Sequence, residues 1–123
     1  MSSWLGSRWQ AKEARAARQE QSQREDRLRY EAERRNLYAR FALMADTAAG
    51  GKYAALEGDL YRLRWEIGLL ASPDVVQAAH RLTQALGGVG PHAEDPYVEI
   101  ANFVHAVRAE LGFPNDGLLP EHF

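Results

Sequence analysis

The chain has 123 residues, of which 46% are hydrophobic and 26% are charged, a balance typical of a globular protein rather than a disordered chain. This length predicts one domain. The sequence contains no cysteine, which excludes disulfides, thiolate zinc sites and cysteine nucleophiles. No apolar stretch approaches the roughly 18 residues needed to cross a bilayer, and residues 1–15 lack the apolar region of a secretory signal. We therefore expect a cytoplasmic protein.

The net charge of −2 conceals an asymmetry between the two parts of the chain. Residues 1–52 carry 11 basic and 7 acidic side chains, whereas residues 53–123 carry 4 basic and 10 acidic ones. Such a division is typical of a basic arm that binds nucleic acid or a membrane surface. It equally allows the two ends to attract each other or a neighbouring copy.

Residues 1–9 contain three large apolar side chains, Trp4, Leu5 and Trp9. Leu5 and Trp9 are four residues apart and would share one face of a helix. One interpretation is a terminal segment that packs on a neighbouring helix or lacks regular structure. The other is a hydrophobic anchor for a partner protein or a membrane surface.

Residues 10–36 are rich in Ala, Arg, Glu and Gln and lack Gly and Pro, a composition that favours helix. Glutamate and arginine recur four residues apart, in the order that stabilises a helix, at Glu20–Arg24, Glu25–Arg29 and Glu31–Arg35. Between Trp9 and Leu28 there is no large aliphatic or aromatic residue. We therefore expect a solvated helix that projects from the core, with a thin, alanine-lined coiled coil as the alternative.

The first core helix continues this charged helix, so that one helix spans residues 8–49. Its core face is predicted to hold Tyr30, Leu37, Phe41, Met44 and Ala48, with Tyr38, Ala42 and Ala45 beside it. Gly50-Gly51 ends it, because glycine favours turn geometry over helix.

The second core helix has the most regular pattern in the chain. Its apolar residues are spaced alternately three and four apart, as in a coiled-coil seam: Tyr53, Leu56, Leu60, Leu63, Ile67 and Leu70. A second stripe beside this seam, Tyr61, Trp65 and Leu69, predicts that the helix contacts more than one neighbour.

Two further helices are predicted to begin at Pro73 and Pro96, each after a capping residue, Ser72 or Asp95. The core residues of the third helix are expected to be Val75, Ala79, Leu82 and Leu86, and those of the fourth Ile100, Val104, Val107 and Leu111, with Phe103 flanking. Gly87-Gly88 and Gly112 are the expected helix ends. The tail 113–123 is expected to lie extended across the bundle.

These elements predict an all-α fold, a small antiparallel bundle of about four helices with a long, partly projecting N-terminal helix. The expected parts are an N-terminal segment at 1–9, a charged solvated helix at 10–36, and a bundle core with its tail at 37–123.

No motif in the sequence indicates an enzyme, a cofactor site or a metal site. The four histidines are isolated, and no Glu precedes one by three residues as a di-iron bundle site requires. The glycine-containing stretch GGVGPHAE follows no strand and has no Lys-Ser/Thr pair to hold phosphate. All carboxylates are expected on helix surfaces or near helix caps. We therefore predict no catalytic residue, no cofactor, no metal and no small-molecule substrate.

Three segments together resemble short uncharacterised helical-bundle proteins of actinobacteria and their phages: ERRNLYARFALMADTAAGG, EIGLLASPDVVQAAHRLTQAL and YVEIANFVHAVRAELG. The shared pattern covers about residues 33–112. It consists of an Arg/Glu-rich helix that runs into a Tyr-x-x-Phe segment, a Ser-Pro-x-x-Val helix start and a closing Glu-Leu-Gly. The resemblance implies a small bundle and no particular activity. Some such proteins carry an N-terminal membrane segment, where this chain has Trp4 to Trp9.

The function expected from the sequence is a non-enzymatic protein–protein interaction or adaptor module. It would act on a protein partner or form a homodimer, through the charged helix or the Tyr53–Leu70 seam. One alternative is a nucleic-acid-binding accessory protein that uses the Arg-rich helix, and a weaker one is a peripheral membrane protein. The predicted partner-binding residues are Trp4, Leu5, Trp9, Arg15, Arg18, Arg24, Arg27, Arg34 and Arg35.

Overall fold

Residues 2–113 of the protein form four α-helices: α1 (Ser2–Thr47), α2 (Tyr53–Leu70), α3 (Pro73–Leu86) and α4 (Pro96–Glu110). The computed structural model describes residues 2–113, with side chains from Trp9 onwards. Within that part there is no strand, which confirms the predicted all-α class. The side chains of Trp4 and Leu5 and the tail from residue 114 lie outside the described residues, so the expectations for them stay predictions.

The chain divides into two compact units, Met1–Glu33 and Arg34–Phe123, and the predicted division into three parts stays a prediction. In the first unit the helix begins at Ser2, earlier than the predicted residue 8. All side chains from Trp9 to Tyr30 are exposed. Neither Glu20–Arg24 nor Glu25–Arg29 closes to within 4.0 Å in this described stretch. This is the behaviour expected of exposed ion pairs, whose attraction barely offsets the entropy of two long side chains.

In the second unit, a core of aliphatic and aromatic side chains joins the end of α1 to the other three helices. Phe41 and Phe103 are fully buried, and their ring centroids lie 5.0 Å apart in an edge-to-face contact. Tyr38 makes a second edge-to-face contact with Phe103 at 6.3 Å. Around these rings pack the buried residues Leu37, Ala45, Ala48, Leu60, Leu63, Ile67, Val75, Ala78, Ala79, Leu82 and Ile100.

Two helices present a different face to the core than the sequence pattern indicated. On α4, Phe103 lies at the centre of the core, while Val104 and Val107 are only half-buried. On α1, Tyr38 is buried, whereas Tyr30 is exposed. The buried positions of Phe103 and Tyr38 go together, because the Phe103 ring makes edge-to-face contacts with both the Tyr38 and the Phe41 rings.

The break between α1 and α2 lies at the two glycines, as predicted. Residues 48–52 connect the two helices across a kink, in which Gly51 has the non-helical angles φ 109° and ψ 6°. An L-residue with a side chain rarely adopts this conformation, because its Cβ approaches the following carbonyl oxygen. Gly51 therefore permits the chain to leave α1 and begin α2.

Helices α3 and α4 begin at Pro73 and Pro96 as predicted, but the preceding side chains do not cap them. The predicted capping by the side chains of Ser72 and Asp95 is therefore wrong. The helix ends do follow the sequence pattern. Gly88 and Gly112 have φ near 80°, and the next residue donates its N–H to a carbonyl five residues back, Val89 to Gln84 and Phe113 to Arg108.

The carboxylate of Glu110 joins three parts of the fold. Its Oε1 accepts a hydrogen bond from the backbone N–H of Ser72, at 2.5 Å, in the turn between α2 and α3. Its Oε2 accepts from the hydroxyl of Tyr38 on α1, also at 2.5 Å, and lies 3.9 Å from Nη1 of Arg34. The backbone N–H of Ser72, the residue that precedes α3, is thus satisfied by a carboxylate from a helix distant in sequence.

Replacing Gly51 by alanine should lower the free energy of unfolding by about 1–2 kcal/mol, because the new Cβ is strained at positive φ. Gly50 is the matched control, since it lies next to Gly51, has no positive φ and has open space where a methyl group would stand. Urea unfolding of both variants, followed by circular dichroism, measures the difference. Equal stability of the two variants would contradict the assigned conformation.

Replacing Glu110 by alanine should lower the free energy of unfolding by about 2–3 kcal/mol, because two part-buried donors lose a charged acceptor. The exposed Glu94 provides the control, and Glu94→Ala should change stability by less than about 0.5 kcal/mol. Denaturant unfolding of the two variants tests this. A loss at position 110 no larger than at position 94 would show that the carboxylate does not hold these elements together.

Candidate functional site

The side of α2 that faces away from the core carries three large apolar side chains that contact solvent. Tyr61, Trp65 and Leu69 are 40%, 73% and 71% exposed. At 100° per residue they lie opposite the buried Leu60, Leu63 and Ile67. Helix α2 does contact more than one neighbour, as predicted, namely α3 and the turn at residues 48–52, but not through this stripe, which is exposed within the described residues.

We call the exposed set Gly58, Tyr61, Trp65, Gly68 and Leu69 the outer face of α2. The opposite seam is occupied by the protein's own core, since Leu60, Leu63 and Ile67 are buried in it. The predicted self-association through the Tyr53–Leu70 seam is accordingly wrong. If α2 contacts another molecule, it does so through its outer face.

Beside the outer face, an open groove of about 730 Å³ runs between α2 and α3. Its apolar lining comes from both helices and from the turn that joins them: Trp65, Gly68, Leu69, Ala71, Pro73 and Val76. Gly68 adds no side chain to the groove, and no heavy atom lies within 4 Å of where a Cβ would stand.

The polar edge of the groove is fixed by Arg64. Its Nη1 donates to Oγ1 of Thr83 at 3.0 Å and lies 3.2 Å from Nδ1 of His80. Because arginine only donates, Nδ1 of His80 is the acceptor in this contact. The Arg64 guanidinium also lies 4.6 Å from the ring centroid of Tyr61. These contacts hold α2 and α3 antiparallel and restrict the Tyr61 ring.

Tyr61 also contacts Tyr53, one of the half-buried residues that pack on the core. Burial, followed by the side-chain hydrogen bond with Tyr61, raises the pKa of Tyr53 to about 12. The Tyr53 hydroxyl in turn lies 3.1 Å from where a Cβ on Gly87 would stand, at the end of α3. Tyr61 is thus connected, through Tyr53, to the end of the α2–α3 pair at which α2 begins and α3 ends.

The structure does not gather the predicted arginine set on one side of a helix. Within residues 9–33, helical geometry places Arg15 and Arg18 on one side of α1, and Arg24 and Arg27 on the opposite side. All four are exposed, as is Trp9.

The other two arginines of the set have contacts within the second unit. Arg34 lies near Glu110, and the Arg35 guanidinium lies 5.9 Å from the Phe113 ring centroid. A partner-binding role for the set stays a prediction.

Among the described residues, one carboxylate near a helix start is buried, which was not predicted from the sequence. Glu99, in the first turn of α4, is only 3% exposed, and its Oε1 contacts Nδ1 of the half-exposed His92 in the preceding loop. Its other oxygen, Oε2, is buried without a hydrogen-bond partner among the described residues. The sequence offered one signal for this arrangement, the four-residue spacing that places Glu99 on the face of the buried Phe103.

Other site chemistry is limited in the described part of the chain. No group of three His, Asp or Glu residues there could hold a metal ion. No helix among those residues is long and apolar enough to cross a membrane.

No family model, curated protein or solved structure matches this chain. The resemblance to helical-bundle proteins of actinobacteria and phages therefore stays a prediction. Any functional conclusion depends on the surfaces and contacts described above.

Replacing His92 by alanine should destabilise the protein more than replacing Glu99 by glutamine. The first change leaves a carboxylate buried without its partner, at a cost of about 2–3 kcal/mol, whereas the second removes the charge itself. The double variant should therefore be more stable than the His92→Ala variant alone. Denaturant unfolding of the three variants at neutral pH provides the measurement, and a double variant less stable than both single ones would refute the buried pair.

Proposed function

We propose that this protein is a non-enzymatic protein-interaction module whose docking surface is the outer face of α2 with the adjoining groove. The observation that carries the proposal is the exposure of Trp65 and Leu69 on one side of the most regular helix in the core. A cytoplasmic location belongs to the same proposal and can be tested by cell fractionation.

The exposed apolar side chains of this surface lie next to one another, which distinguishes them from the single apolar residues that most proteins expose. Single exposed leucines are common on folded proteins, but aromatic and aliphatic side chains beside a groove are typical of binding surfaces. Tryptophan and tyrosine are also the residues that most often dominate binding energy at protein interfaces. The contacts of Tyr61 with Arg64 and Tyr53 support the proposal further, because a restrained side chain loses less entropy on binding.

The distribution of charge favours a protein partner over nucleic acid. A helix that tracks phosphates presents basic side chains along one side, whereas Arg15 and Arg18 lie opposite Arg24 and Arg27. Six acidic residues are interleaved with the basic ones between Arg8 and Arg35. A gel-shift series across salt concentrations tests the alternative, since binding that weakens steeply with added salt would support nucleic acid.

Two leucines allow a controlled test of the docking surface. Leu69 lies on the outer face and is 71% exposed, while Leu43 on α1 is 69% exposed and lies outside it. A photo-crosslinking amino acid at position 69 should form adducts with a protein partner in cell extract, and the same group at position 43 should not. The variant Leu69→Glu should lose at least tenfold more affinity for that partner than Leu43→Glu, because it places a charge in an apolar contact.

Mass spectrometry identifies the adducts, and affinity measurements with the identified partner give the fold-change. Circular dichroism confirms that both glutamate variants fold. Equal crosslinking at both positions, or none at position 69, would contradict the proposed docking surface.

A further inference from the structure

We infer that the outer face of α2 binds the same face of a second copy of this chain, with the two α2 helices antiparallel and centred at position 63. The inference rests on the proposed function, because it names the occupant of the same docking surface. It is carried by the order of side-chain sizes on the face and by the charges that flank it.

The sizes of the side chains on the outer face form a palindrome. Gly58, Tyr61, Trp65 and Gly68 are spaced three, four and three residues apart, in the order small, large, large, small. Because this order is the same in both directions, it runs identically along both helices of an antiparallel pair with two-fold symmetry. Tyr61 of each copy then lies level with Trp65 of the other, and Gly58 level with Gly68. Each layer therefore occurs twice, once on either side of the two-fold axis, as in an isologous interface, where residue i contacts j and j contacts i.

The glycines make room for the remaining large side chain on this face. With a rise of 1.5 Å per residue, Leu69 of one copy lies about 1.5 Å along the axis from the level of Gly58 of the other. The missing side chain at Gly58 leaves space for the leucine. A Cβ at Gly58 or at Gly68 would meet no heavy atom of its own chain within 4 Å, so packing within one copy does not require either glycine.

Charges beside the face are complementary in the same arrangement. Arg62 and Glu66 lie on the same flank of the outer face, on the side away from the groove. Two-fold symmetry brings the flank of one copy beside the identical flank of the other. Arg62 of one copy then lies about 3 Å along the axis from Glu66 of the other and about 3 Å from its Arg62, so that this flank holds two opposite-charge pairs and one like-charge pair. A parallel pair in register would instead place the two copies of this flank on opposite sides of the interface, where Arg62 of one copy does not approach Glu66 of the other.

The size of the surface sets the expected affinity. Helix α2 has 18 residues and is about 27 Å long, so one helix face buries less than the roughly 800 Å² per partner of a standard stable interface. We therefore expect a dimer with a micromolar dissociation constant, populated at about 100 µM protein and dissociated at about 1 µM.

The absence of cysteine allows a direct test of partner, orientation and register with the full chain. A disulfide requires Cα atoms about 4.4–6.8 Å apart. The variants Gly58→Cys and Gly68→Cys should therefore crosslink to each other when mixed under oxidation, giving a covalent dimer that contains one of each. Neither variant alone should do so, because identical positions are about 15 Å apart along the axis in the antiparallel pair. Circular dichroism confirms that each variant folds.

Sedimentation equilibrium of the unmodified chain provides the second measurement. A concentration-dependent dimer that Leu69→Glu removes and Leu43→Glu retains would support the inference. A monomer at about 100 µM, or crosslinking of either single variant with itself as efficient as in the mixture, would overturn it. If the chain stays monomeric while a crosslinker at position 69 captures a different protein, the self-pairing fails and the proposed docking function stands.

Discussion

The arrangement of the second unit depends on one carboxylate. Glu110 lies at the last position of α4, and it accepts hydrogen bonds from the start of α3 and from the side of α1. The hydrogen bond from Ser72 to Glu110 holds the turn at Ala71 and Ser72, and this turn sets how α2 and α3 lie relative to each other. The groove lies beside this turn. A contact between helices distant in sequence therefore defines the shape of the proposed docking surface, although no atom of Glu110 lines that groove.

Features that depend on local physics could be predicted from the sequence. The apolar repeat of α2 identified its buried side, and the glycines at positions 50 and 51 identified the break after α1. Proline marked the first residue of α3 and of α4, and Gly88 and Gly112 marked the ends of those helices. Each of these rests on the conformational preference of one residue or on the period of one helix, so that neighbouring sequence suffices.

Features that depend on distant partners could not be predicted. Periodicity indicates which side of a helix is apolar, but not whether another element covers that side. The stripe Tyr61, Trp65 and Leu69 has the spacing of a core face and is nevertheless exposed. Glutamate is usually a surface residue, yet Glu99 is buried. His92 from the preceding loop contacts its carboxylate there. In the same way, Phe103 was expected to flank the core but lies at its centre, where it contacts two rings on α1.

Gly58 and Gly68 give the second helix an intrinsic weakness that its own chain does not require. Each costs about 1 kcal/mol of helix propensity relative to alanine, and a methyl group at either position would meet open space. Alanine at both positions would thus make a stiffer and more stable single molecule while filling the space that a neighbouring copy needs. Thermal stability and assembly would then change in opposite directions, so that a screen for heat-resistant variants would select against the paired form.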